Sequence, residues 1–127
     1  MKELSIYAIP GLAQNMDISI RQVEKIVLQE YEYHTGINIS PAWLRTKCRR
    51  LDKVVFPRMI IITLLRECGK QTLKEIALHY RKDHSTMVYS MKATRAMLET
   101  QPNSEISRVY YSAKSKIIDT FTVNSTP

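Results

Sequence analysis

Apolar residues recur along this chain at intervals of three and four, and no stretch alternates as a half-buried strand would, so the pattern predicts helices throughout. The first periodic run follows Ser19, which forms a capping box with Gln22. Ile20, Val23, Ile26, Val27 and Tyr31 then share one face to about His34, and Gly36 is the natural stop. Arg21, Glu24, Lys25 and Glu32 fall on the opposite face and are expected in solvent. Ser40-Pro41 starts a short second helix, because proline at the first helical position loses only an amide that had no partner. Trp43, among Ile37, Ile39 and Leu44, is expected as a core anchor rather than a stacking platform.

Arg45 to Lys53 breaks the helical amphipathicity and is expected as a loop whose arginines face outward. Pro57 then opens a helix with Arg58 on its wet side, and Met59 to Leu65 is so continuously apolar that this helix belongs at the centre of the core, ending at Cys68-Gly69. Thr72 and Glu75 form a second capping box ahead of a short helix, Leu73 to about Tyr80. Asp83 caps a longer helix beginning at His84, with Met87, Met91, Thr94 and Leu98 on one face and Pro102 as its limit. A last helix from about Ser104 to Phe121 carries the stripe Ile106, Val109, Tyr110, Ala113, Ile117 and Phe121. The expected class is all-α: residues 1–18 an arm of unassigned role, 19–121 one domain, and 122–127 a frayed tail.

At 127 residues, 44% hydrophobic and 24% charged, the chain is sized and composed for one globular domain. No apolar run approaches the ~20 residues of a membrane span and no signal-peptide core is present, so a cytoplasmic protein is expected, with Cys48 and Cys68 as free thiols. Charge sharpens this picture through its distribution. Between Arg45 and Arg95 there are 13 Lys and Arg against four acids, a net +9, whereas the remainder carries −2. A positive field confined to the middle of the chain is the footprint of a phosphate-binding face, with a plain solvated surface as the bland alternative.

Short helix, tight turn, longer helix is the order of a helix-turn-helix, and it falls inside that basic region. At the first turn of the second helix, His84, Ser85 and Thr86 stand beside free backbone amides and the positive end of the helix dipole, which favour phosphate. Short polar side chains there can bond base edges, and the threonine methyl can touch a thymine methyl. An ordinary capped helix start would read the same way from spacing alone. Other chemistries find less support. Cys48, Cys68, His79 and His84 do not have the spacing of a compact zinc knuckle. Tyr110-Tyr111 lacks the His-x-His partner of a strand-cleaving tyrosine, and the three glycines, Gly11, Gly36 and Gly69, cannot make a P-loop. Neither an enzyme nor a bound cofactor is expected.

Asp83-His84-Ser85-Thr86, preceded by Leu73-x-Glu75-Ile76 and by Pro57-Arg58 after a basic loop, resembles the C-terminal DNA-binding domain of the bacterial replication initiator DnaA, over roughly Ile20 to Thr100. The resemblance implies a helical bundle with an extended helix-turn-helix of the Trp-repressor class, binding double-stranded DNA at DnaA boxes or sites like them. It implies base reading in the major groove by Asp83, His84, Ser85 and Thr86, and a minor-groove arginine at Arg50, beside Arg49. Arg58 would approach the phosphate backbone, Leu73 and Lys74 hold the positions before the Glu-Ile pair, and Lys82 lies in the turn. The chain departs from the family at Phe56, where a basic residue is usual, at Asp52 in the basic loop, and at Arg81-Lys82, a turn one residue short of Gly-Gly-Arg. The family's ATPase domain is absent from this sequence, which implies a regulator or accessory DNA-binding protein rather than a full initiator. The other reading is a protein-interaction or adaptor module that kept the fold without the DNA contact, with Phe56 and Asp52 as its evidence. No protein partner can be named from the sequence.

Overall fold

The structure, a computed structural model, describes the backbone of residues 16–45 and 52–124 and the side chains of 16–45 and 54–121. Its helices are α1 (Ile20–Thr35), a one-turn 3-10 helix (Pro41–Arg45), α2 (Asp52–Cys68), α3 (Leu73–Tyr80), α4 (His84–Thr100) and α5 (Glu105–Asn124). Among the described residues the sole extended pairing is a bridge between Met16 and Gly69. The all-α class read from periodicity is what the chain adopts.

α2 is the hub, in contact with α1, α3, α4, α5 and the 3-10 turn, while α1 and α5 pack side by side. The reason is its sequence: Ile60, Ile61, Ile62, Leu64 and Leu65 are all fully buried. At about 1.5–3 kcal/mol for each such side chain, this segment alone outweighs its weak helix propensity. Around it close Val23 and Val27 of α1, Ile76 and Tyr80 of α3, Met87 of α4, and Val109, Ala113 and Ile117 of α5. Glu67 of α2 fastens the far side, accepting from Tyr110 at 2.5 Å and from Lys114 at 3.2 Å.

Three expectations change here. Trp43 is 48% exposed, and the 3-10 turn is anchored instead by Leu44, at 0%. One turn of helix can aim only one of these neighbours inward, and the branched aliphatic side chain fills the space. The central helix opens at Asp52, not at Pro57, which lies inside it. Val54 and Pro57 are buried on the stripe that continues to Ile61, so the spacing i, i+3, i+7 extends the apolar face back through the basic region and compensates the amide that Pro57 lacks. Glu24, expected in solvent, is 3% exposed.

At the near end, Ile18 is 3% exposed and belongs to the core. The Met16 amide donates to the Cys68 carbonyl at 2.7 Å and the Gln71 side chain donates to the Ile18 carbonyl at 2.8 Å. This docking needs Gly69, where a Cβ would collide with Gln71 Oε1 and stand 3.0 Å from the Leu65 carbonyl oxygen. α5 runs three residues past the expected Phe121, to Asn124.

Candidate nucleic-acid interface

The helix pair is built by local rules. Thr72, with extended backbone, accepts from the Glu75 amide at 3.1 Å, and Glu75 accepts from the Thr72 amide at 2.7 Å. Two orphan amides are thereby satisfied where α3 begins. α3 ends after two turns because Arg81 takes the left-handed conformation, φ 55° and ψ 44°. The Lys82 amide returns to the Ala77 carbonyl at 2.9 Å and the Arg81 amide to Leu78 at 3.3 Å, the paired bonds of a Schellman stop. Glycine usually occupies that position, so an arginine there holds strained backbone.

Asp83 then caps α4 and organises its first turn. Its Oδ1 accepts from the Thr86 amide at 2.8 Å, the Thr86 hydroxyl at 2.8 Å and the Ser85 hydroxyl at 2.9 Å. These three donors hold the Asp83 carboxyl below the ordinary carboxylate range, the Thr86 amide contributing most. With their protons committed to Asp83, the Ser85 and Thr86 oxygens present lone pairs to anything that approaches. His84 and Ser85 are exposed, and Thr86 is half-buried. The opposite face of the pair, Ile76, Ala77 and Tyr80 with Met87, Ser90 and Thr94, is buried against the bundle.

The residues predicted for this site from Leu73 onward lie on the helix pair. Lys74 is exposed on α3, Leu73 is half-buried at its first position and packs on the core, and Lys82 and Asp83 form the turn. Arg49 and Arg50 lie outside the described residues. Arg58 does not face freely outward: it is half-buried, and its Nη1 donates to the Leu44 carbonyl at 3.2 Å. Burial draws its guanidinium below the ordinary value. Two further residues extend the exposed edge of α4, Tyr89 at 68% and Lys92. Their spacing from Ser85, four and seven residues, was the available signal, since it places all three on one helical stripe.

Behind this edge is a polar cluster that sequence reasoning missed. Glu24 of α1 accepts from the Tyr80 hydroxyl at 2.5 Å and lies 3.3 Å from His79 Nε2, which in turn lies 3.0 Å from Arg45 Nη1. Among the described residues no group of three His, Cys, Asp or Glu side chains could hold a metal ion, and no helix is long and apolar enough to cross a membrane.

Comparison with known proteins agrees with the geometry. Residues 20–93, more than half of the chain, match the family model described as the bacterial dnaA protein helix-turn-helix. The chromosomal replication initiator protein DnaA of Geobacter sulfurreducens is 29% identical over 86 residues, covering 67% of this chain and 18% of that protein, so the chain spans less than a fifth of the curated relative's length. The matched residues run from the first residue of α1 into α4 and take in both capping devices of the helix pair. With its fold, its helix-turn-helix and the family match in accord, this chain belongs to the bacterial DnaA helix-turn-helix family.

Proposed function

We propose that this chain is a sequence-specific double-stranded DNA-binding protein that sets the first turn of α4 in the major groove and the basic segment after Arg45 in the minor groove. The observation that carries the reading is the Asp83-organised turn. His84 and Ser85 are exposed at a helix N-terminus, and the Ser85 and Thr86 hydroxyls are oriented before any ligand arrives. Pre-ordered side chains bind at lower entropic cost. Lone pairs aimed outward suit the amino groups of adenine and cytosine, while His84 can reach a purine edge. In this reading Lys74, Lys82 and Arg58 hold phosphates, Leu73 lies against the sugar-phosphate wall, and Arg49 and Arg50 serve the minor groove. Residues 19–121, with the docked Met16 to Ile18, are the binding unit.

The relative from Geobacter sulfurreducens is by name a chromosomal replication initiator. For this chain the corresponding proposal is narrower: a cytoplasmic regulator or accessory binder at DnaA-box-like sites, without catalysis. Selection of bound duplexes from a random pool tests it. Recovery of one short common site, lost from the His84→Ala selection, is the expected result. A pool that never converges, or no binding at low salt, contradicts it and favours the adaptor reading.

A further inference from the structure

Arg45 closes the 3-10 turn at the edge of the basic segment, and its Nη1 lies 3.0 Å from Nε2 of His79 on the last turn of α3. The same ring nitrogen lies 3.3 Å from Glu24 Oε2. These two contacts exclude each other. A guanidinium only donates and an ionised carboxylate only accepts, so one imidazole nitrogen serves Arg45 with its lone pair or Glu24 with a proton, never both. Glu24 does not depend on the ring, because the Tyr80 hydroxyl donates to the same oxygen at 2.5 Å. Burial first, then that bond, pushes the Tyr80 phenol far above its ordinary value and keeps it a donor.

The surroundings complete the joint. Glu24 reaches the ring from α1, Arg45 from the 3-10 turn, and Tyr80 stands edge-on to it within α3 at 4.7 Å. Arg58 of α2 holds the carbonyl of Leu44, the residue before Arg45. Four elements of the bundle therefore converge around Arg45.

We propose that His79 is a positioning residue: its neutral ring holds Arg45 and so fixes the root of the basic segment against the helix-turn-helix, and protonation turns the ring to Glu24 and releases that root. The proposal rests on the reading of the basic segment as a DNA contact. A proton on Nε2 sets a positive charge and an N–H against the Arg45 guanidinium while strengthening the bond to Glu24. While the root is held, Arg45 and α4 meet DNA at a fixed separation. Once it is released, the Arg45 side chain must be ordered during binding. DNA thus prefers the neutral ring, and affinity falls once acid has protonated it.

The test is fluorescence anisotropy of the whole chain on its selected duplex at about pH 7.5 and about pH 6, for wild type and His79→Gln. Glutamine carries its acceptor and its donor on separate atoms, so it can serve Arg45 and Glu24 together at either pH. His84 and every other titrating group is common to both proteins, and the difference between them reports His79. Wild type is expected to lose about three- to tenfold more affinity on acidification than His79→Gln, the cost of ordering one long side chain on binding. In the free protein, the backbone amide signals of Leu44 and Arg45 should move with pH in wild type and stay in place in His79→Gln. Equal pH dependence of affinity with site preference intact overturns the inference and leaves the DNA-binding reading standing. Failure of wild type to bind any duplex at low salt overturns that reading and the coupling that rests on it.

Discussion

Tyr80→Phe removes one oxygen from the centre of the molecule and should cost far more than its size implies. The ring is fully buried and would still fill its place, so no cavity term enters. What disappears is the bond to Glu24, whose carboxylate is 3% exposed. A hydrogen bond to a charged group is worth about 1.5–3 kcal/mol, and stranding a buried charge can reach about 3–5 kcal/mol. His79 stands 3.3 Å away and can turn to Glu24, which moderates the loss. The expected cost is therefore about 2 kcal/mol, or a melting temperature lower by roughly 6–12 °C for a chain of this size. Urea unfolding followed by circular dichroism gives the number, with an unchanged m-value as evidence that the native state is still compact. Pairing the change with Glu24→Leu supplies the control: removing both partners should recover at least about 1 kcal/mol relative to the sum of the single losses. A loss below about 0.5 kcal/mol for Tyr80→Phe, or strict additivity in the cycle, would refute the buried Tyr80–Glu24 pair.

Gly69→Ala should destabilise by roughly 1–3 kcal/mol, because the added methyl meets Gln71 and the Leu65 carbonyl and disturbs the docking of Met16 and Ile18; a wild-type urea midpoint would contradict that. Arg81→Gly should raise stability by about 0.5–1 kcal/mol by relieving left-handed strain, whereas Arg81→Val should lower it by at least about 1 kcal/mol; equal midpoints for the two would show that the turn is not strained. Burial pushes the Cys68 thiol up from 9.0 to about 11, so the folded state keeps a proton that the unfolded chain gives up. Its contribution is present below the thiol's ordinary value and is lost as pH rises through about 11, a fall that urea midpoints on either side of that window should show and Cys68→Ala should flatten.

The parts of the fold legible in the sequence are those set within one helical turn. Ser19, Thr72 and Asp83 each announce a helix start because the bond that makes the cap joins residues three apart. The apolar stripe of α5 was equally plain, since period and length agree over its whole span. Glu24 was not legible. Its spacing places it on the wet face of an isolated α1, and its burial is decided by Tyr80, 56 residues later in sequence. Trp43 and Leu44 could not be ranked from neighbouring apolar residues, because the direction of a single 3-10 turn is fixed by what it packs on. Pro57 misled for another reason: proline favours a first helical turn, yet one lost amide is a small penalty beside the burial of Val54, Ile60 and Ile61. The candidate site divides in the same way. Its capped turn is local and was visible, while the joint of Glu24, His79 and Arg45 behind it is assembled from three elements.

In the proposed function the first turn of α4 reads bases while the basic residues around it hold phosphates. Titrating labelled selected and random duplexes with wild type and His84→Ala, from about 50 to 200 mM salt, tests this most directly. A steep fall in affinity with salt is expected for both proteins, with a loss for His84→Ala of about 1–3 kcal/mol on the selected duplex and little on random DNA. Equal loss on both duplexes, or affinity that ignores salt, would contradict it.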